Sequence, residues 1–192
     1  YKRQVDDIIA DSDPTTMCNY PDERQLYHVL TEFEQHHHIA IGLGASEIIG
    51  RIMSILRGST LHVISPTYKP VSIFAQLNDV SIHEINYHDF NQFDMSLLPV
   101  DSHVYIATPN GNNGHQFEVD QIEHIIKTNR LVILDQVYGD FGGYVHRSAD
   151  DNVITIRSMS KSIGLAGVRC GYALSSEANI HMLNQFRPAI VT

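Results

Sequence analysis

Cysteine is scarce in this sequence, basic residues are outnumbered by acidic ones, and no apolar run reaches the length of a membrane span. The two cysteines, Cys18 and Cys170, form no Cys-x-x-Cys pair, so neither a disulfide framework nor a metal knuckle is expected, and a reducing cytoplasm is the expected compartment. Thirteen Lys and Arg against 22 Asp and Glu leave a formal charge of −9. That balance argues against a nucleic-acid surface, which needs a basic patch to neutralise phosphates. Any anion site must therefore be local. The opening stretch YKRQVDDIIAD lacks the long apolar core of a signal peptide, and no repeats, linkers or low-complexity tracts interrupt the chain. Three of the twelve histidines are consecutive, His36, His37 and His38. Adjacent helical residues point in different directions and no partner set at ligand spacing accompanies the run, so no metal site is expected.

What is present is a chain of 192 residues, 43% hydrophobic, enough to build the core of one substantial domain. Its apolar pattern alternates between periods. A short helix is expected over residues 1–11. Asp22 is placed to cap a second helix, whose positions Leu26, Val29, Leu30 and Phe33 recur at helical intervals. IAIGLGASEIIGRIMSILRG passes from an apolar run through glycines into a helix carrying Ile48, Ile49, Ile52, Met53 and Leu56, ended by Gly58. Strands at Leu61–Ile64, Val80–Ile85 and Val104–Ala107 come next, with a helix through Val71–Leu77 and a loop holding one helical turn over residues 86–100. A helix over 118–128 puts Val119, Ile122, Ile125 and Ile126 on one face. The strand Leu131–Leu134, a glycine-bearing turn over 140–144, strands through Ile154 and Gly171–Leu174 and a last helix from Glu177 complete the series. Strands alternating with helices specify an α/β, three-layer domain.

The chemistry concentrates in Ser158–Tyr172, SMSKSIGLAGVRCGY. A lysine amine such as that of Lys161 attacks aldehydes once its surroundings lower its proton affinity. The hydroxyls of Ser158 and Ser160 and the guanidinium of Arg169 are groups that gather around a phosphate. An aldehyde-reactive amine beside a phosphate cradle suggests pyridoxal 5'-phosphate (PLP). Earlier, LVILDQVYGDF delivers Asp135 at the C-terminal end of a buried strand, where open α/β sheets place their ligands. A carboxylate there could pair with a protonated pyridine nitrogen, and Tyr138 could donate to the ring's phenolate oxygen. The glycines before Ala45 and Ser46 aim helix N-terminal amides at an anion.

These residues, in this order and spacing, resemble the fold-type I PLP-dependent aminotransferases of class I/II, and most of all their histidinol-phosphate aminotransferase branch. That branch carries DEAY at a strand end and an S/T-x-S-K element running into GLAGLRxGY, where this chain has DQVY and SMSKSIGLAGVRCGY. The resemblance implies that Lys161 is the Schiff-base lysine, Asp135 the pyridinium partner, Tyr138 the O3' contact, and Ser158, Ser160 and Arg169 phosphate ligands. GLGASEII resembles GNGSDELI, adding Gly44, Ala45 and Ser46 to the phosphate loop. Tyr68 of the PTY element matches the residue that stacks on the pyridine ring. Tyr20 of NYPD matches a tyrosine that reaches the cofactor phosphate of the neighbouring subunit, which implies a homodimer. The chain departs from the branch twice. Gln136 replaces a glutamate. The loop TPNGNNG stands where the family writes NPNNPTG, so Gly111 occupies the place of the asparagine that binds O3'; either Asn110 or Asn112 takes over through a shifted loop, Asn110 being the first candidate, or the contact is absent.

For the fold, the resemblance implies a three-layer α/β/α large domain with a seven-stranded, mostly parallel sheet holding one antiparallel strand. Residues 1–192 then form the PLP-binding large domain, and the family's N-terminal segment and smaller C-terminal domain, which supplies a substrate-binding arginine, lie outside this sequence. The implied reaction is transamination between an amino acid or amino-alcohol phosphate and a keto acid. A PLP-dependent decarboxylase of a phosphorylated amino acid shares the same site, and a non-catalytic PLP-binding module is a third reading.

Overall fold

The computed structural model describes residues 10, 13, 22–87 and 93–187. Most of the helix expected over residues 1–11, together with Cys18 and Tyr20, lies outside them. In chain order the described elements are α1 (Arg24–Glu34), β1 (Ile39–Leu43), α2 (Ala45–Ile55), β2 (Thr60–Ser65), α3 (Pro70–Leu77), β3 (Ser81–Asn86) and a 3-10 turn at Met95–Leu97. Then come β4 (His103–Ala107), α4 (Val119–Thr128), β5 (Leu131–Asp135), the short α5 (Gly139–Gly142), β6 (Val153–Ser158), a 3-10 turn at Ala166–Val168, β7 (Cys170–Leu174) and α6 (Glu177–Gln185).

The seven described strands form one sheet in the order β1-β7-β6-β5-β4-β2-β3. Among them only β7 is reversed: it pairs antiparallel with both β1 and β6, and every other pairing is parallel. The expected seven-stranded, mostly parallel architecture is therefore present. Helices cover both faces, so the central strands are apolar throughout rather than alternating. β5 is buried at all five positions. Its Leu131 and Ile133 join one core layer with Ile48, Ile52 and Met53 of α2, while Val132 and Leu134 join the opposite layer with Ile122, Ile125 and Ile126 of α4. Each such side chain contributes about 1.5–3 kcal/mol on burial. Parallel strands present their C-terminal ends along one edge of the sheet, and that edge brings Ser65, Ala107, Asp135 and Ser158 into one row.

Two local expectations need correction. The start of α1 is not one of them: Asp22 accepts the first-turn Arg24 backbone N–H at 3.0 Å, as well as the Arg24 guanidinium, while Glu23 has helical dihedrals and makes no side-chain cap bond. The face of α1 is rotated: Val29 and Phe33 are exposed, whereas Leu30 and the charged Glu34 are fully covered. In this register the buried carboxylate is fully paired: Glu34 receives Arg157 Nε at 3.0 Å, Arg147 Nε at 2.9 Å and the Tyr172 hydroxyl at 2.5 Å. On α4, Val119 is 40% exposed rather than facing the sheet, because it opens the helix next to the capping box of Glu118 and Gln121.

Burial depresses the proton affinity of four histidines, His36, His62, His103 and His146, below the ordinary 6.5. For His62 the neighbouring His83 adds to the effect, and for His103 the nearby Arg130 does. The unfolded chain then binds more protons than the folded one as pH falls through 6.5, so stability drops from that pH downward until the folded-state values are passed. We expect the denaturation midpoint to be lower at about pH 5.5 than at about pH 7.5, values that bracket the unfolded histidine pKa; equal midpoints in urea titrations under the two conditions would contradict this.

Candidate active site

The row of strand ends opens into a cavity of about 310 Å³. Ala45, Ser46, Tyr68, Asn110, Asp135, Tyr138, Ser158, Ser160, Lys161 and Arg169 all line it, together with Asn112 and Gly111. Residues far apart in sequence converge here because β2, β4, β5 and β6 each end at the same edge. Gly44 stands just behind the lining, and Tyr20 lies outside the described residues.

One end of the cavity is built to meet an anion. The backbone at Gly44 has φ +82°, which leads the chain from β1 into the N-terminus of α2. A side chain at Gly44 would place its Cβ 2.4 Å from Arg169 Nη2, so the glycine leaves room for the guanidinium. Gly171, paired across the sheet with Gly42, has a matching reason: a Cβ there would lie 2.2 Å from the Ala45 nitrogen. β7 thus packs directly beneath the amides at the start of α2. Ser158 and Ser160 are linked by a 3.1 Å bond from the Ser160 N–H to Ser158 Oγ, and the Ser46 and Tyr68 hydroxyls stand 3.2 Å apart. Hydroxyls, helix N-terminal amides and a guanidinium are the donor set that a phosphate requires.

The other end holds the buried Asp135. Its Oδ1 accepts the Val137 N–H at 3.1 Å and its Oδ2 accepts the Tyr105 hydroxyl at 2.5 Å. Burial pushes this carboxyl above the usual carboxylate range, while the two donated hydrogen bonds pull the other way. Lys161 reaches in from the loop after β6, its Nζ 5.3 Å from the centre of the Tyr138 ring.

The unusual loop after β4 has a steric explanation. A side chain at position 111 would bring its Cβ 2.5 Å from Tyr138 Cε2, so Gly111 admits the Tyr138 ring to that space. Both neighbouring asparagines tie the loop to the segment after β2. Asn110 Nδ2 donates to the Pro66 carbonyl at 2.6 Å and its Oδ1 accepts the Asn112 N–H at 2.9 Å; Asn112 Nδ2 donates to the Thr67 carbonyl at 2.7 Å. Asn110 is the buried one, and an amide group carries two protons, so one remains after the bond to Pro66.

Behind the lining runs an ionic chain that sequence reasoning missed. Arg157, on β6, donates to Glu34, to the Gln136 carbonyl at 2.9 Å and to Asp140 at 2.6 Å. Asp140 in turn accepts from the Ser162 hydroxyl, one residue beyond Lys161. Burial pushes Asp140 upward, yet bonds from Ser162 and Arg157 leave it below the ordinary carboxylate range. The signal available in sequence was an arginine inside a strand, at a position buried on both sides. Gln136 has an equally local role: its amide donates to the Tyr144 carbonyl and accepts the His146 N–H at 2.7 Å, a pairing that an ionised glutamate, which only accepts, could not complete.

The aminotransferase class I and II family model matches residues 23–192. The chain belongs to that family. Histidinol-phosphate aminotransferase of Pyrococcus furiosus is 30% identical over 157 residues, covering 78% of this chain and 46% of that protein. Among solved structures, histidinol-phosphate aminotransferase from Sinorhizobium meliloti, in complex with pyridoxal-5'-phosphate, superposes with a TM-score of 0.78 at 22% identity, covering 91% of this chain and 53% of the other. L-threonine-O-3-phosphate decarboxylase from Porphyromonas gingivalis gives a TM-score of 0.81 at 18% identity, over 96% and 59%. At those identities the two structures establish the fold. The chain spans about half the length of the curated relatives it matches. Within the aminotransferase family PLP is the cofactor, and the cavity's donor set fits it, with anion donors at one end and a buried carboxylate at the other. Among the described residues no His, Cys, Asp or Glu cluster could hold a metal, and no helix is long and apolar enough to cross a membrane.

Proposed function

We propose that the chain is the PLP-binding large domain of an aminotransferase that moves an amino group between a phosphorylated, histidinol-phosphate-like amino compound and a keto acid. The observation that carries the reading is the shared cavity: a lysine amine, a buried carboxylate and a set of anion donors face one another there. PLP, when bound, supplies an aldehyde that captures amines and a ring that takes up electrons released at the substrate's α-carbon.

Each remaining part of the chemistry belongs to side chains of this chain. Ser158, Ser160, Arg169 and the amides of Ala45 and Ser46, entered through Gly44, would hold the phosphate, and Tyr68 would face the ring. Asp135 would accept the pyridine N–H and so stabilise positive charge on the ring. Tyr138 would donate to O3', with the spare proton of Asn110 as a second donor. Lys161 would hold the aldehyde group and, as a free amine, carry a proton away from the substrate's α-carbon, a role worth about 10²–10⁴-fold in rate. Two chains form a homodimer in which each site takes a phosphate contact from Tyr20 of the partner subunit. The cytoplasm is the proposed location.

The test is a product assay. PLP-loaded full-length protein is offered a panel of phosphorylated amino compounds with a 2-keto acid, and amino transfer is followed together with release of CO₂. Transfer of the amino group with a phosphorylated donor is the expected result. Release of CO₂ without an amino product would replace the reading with a decarboxylase, and no turnover of any donor would overturn it.

A further inference from the structure

Tyr105 is a fully buried tyrosine packed among the apolar side chains of one core layer, and its hydroxyl has Asp135 as its partner. The geometry comes from register. β4 and β5 run parallel, with Tyr105 opposite Ile133 and Ala107 opposite Asp135. Side chains two apart on a strand share a face, and two residues rise about 6.6 Å, which a tyrosine ring with its hydroxyl can span diagonally to the next strand. Tyr105 is fully buried and does not line the cavity, whereas Asp135 and Ala107 do, so the phenol reaches the carboxylate from the core side.

We infer that Tyr105 is a positioning residue for Asp135: its phenol fixes one carboxylate oxygen from the core side and keeps the group turned toward the cavity as an acceptor. This rests on the PLP reading of the site. An ionised carboxylate only accepts, so the phenol is the donor. Burial and the charge of Asp135 push the Tyr105 phenol well above its usual 10, so that it stays protonated and keeps donating. With Val137 N–H on Oδ1 and Tyr105 on Oδ2, each oxygen retains one acceptor site, and the carboxylate cannot swing without breaking one of the two bonds. The other ionisable groups lining the cavity are Lys161, Tyr138, Tyr68 and Arg169, none of which bonds the carboxylate. No pattern in the sequence singles out Tyr105, because a tyrosine in the strand HVYIA reads as ordinary core.

The test compares wild type, Tyr105→Phe, Asp135→Asn and the double variant of the full-length protein, each loaded with PLP labelled with 15N in the ring. Tyr105→Phe keeps the ring and creates no cavity. We expect it to bind PLP, to move the pyridine 15N resonance part of the way from the protonated position toward the unprotonated one, and to lower kcat about ten- to a hundred-fold with little change in KM. Asp135→Asn moves the resonance further, and adding Tyr105→Phe to it changes nothing more. A wild-type resonance and kcat in Tyr105→Phe, alongside a shifted resonance in Asp135→Asn, would overturn the inference while sparing the site. An unshifted resonance in Asp135→Asn would instead overturn the assignment of the carboxylate, and the inference with it. If Tyr105→Phe is too unstable to load, folding regained in the double variant, which buries no bare charge, supports the inference; continued unfolding there counts against it.

Discussion

Lys161→Ala is expected to lose activity by at least about 10²–10⁴-fold, the worth of a positioned proton carrier, while folding as before. The side chain is exposed and lies against the face of Tyr138, so truncation removes little packing and stability should stay within about 0.5 kcal/mol of wild type. Cofactor affinity should fall less than activity, since Ser158, Ser160, Arg169 and the start of α2 remain. The covalent attachment is the sharper readout. Borohydride treatment of PLP-loaded protein followed by peptide mapping should mark Lys161 in the wild type and no residue in the variant. A mark on Lys69 or Lys127, or full activity after the substitution, would remove Lys161 from its role.

Asp135→Asn should also lower kcat, by about ten- to 150-fold from this bond alone, because a neutral amide cannot make the charge-assisted bond to a ring N–H, worth about 1.5–3 kcal/mol and needed most as electrons arrive in the ring. Its structural consequences are smaller and mixed. Asparagine offers one acceptor oxygen where aspartate offers two, so with Oδ1 kept on the Val137 N–H its Nδ2 faces the Tyr105 hydroxyl, which then has to accept rather than donate. Against that, a charge no longer has to be buried. PLP binding through the phosphate end should persist. Near wild-type turnover in steady-state assays of the PLP-loaded variant would show that the carboxylate does not hold the ring.

Much of this arrangement is legible in the chain because it depends on local signals. A buried apolar strand running into an aspartate places Asp135 at the sheet edge, and the glycines around Ala45 announce the close approach that Gly44 and Gly171 explain. The strands sit where the apolar runs put them, with small shifts at their ends. Harder to read are relations between elements. Helical periodicity turns Val29 and Phe33 of α1 inward, but periodicity does not know that Arg147 and Arg157 await Glu34 on the other side of the helix. Tyr105 looks like any aromatic in a strand, since only the pairing of β4 with β5 reveals what its hydroxyl meets. Gly111 is visible as a departure from the family's loop, yet its cause, the ring of Tyr138, lies in a different segment.

The chain of charges from Glu34 through Arg157 and Asp140 to Ser162 also bears on how this protein can change over generations. Loss of Glu34 alone would leave Arg157 buried with Asp140 as its remaining carboxylate, and loss of Arg157 would leave the fully covered Glu34 with Arg147 and Tyr172 while releasing Asp140. Either step removes one partner of a buried pair and would cost up to about 3–5 kcal/mol, a large share of the stability of an ordinary domain. Single substitutions of Glu34 or Arg157 are therefore expected to be costly. The end of α1 and the middle of β6 are expected to change together more readily than one at a time.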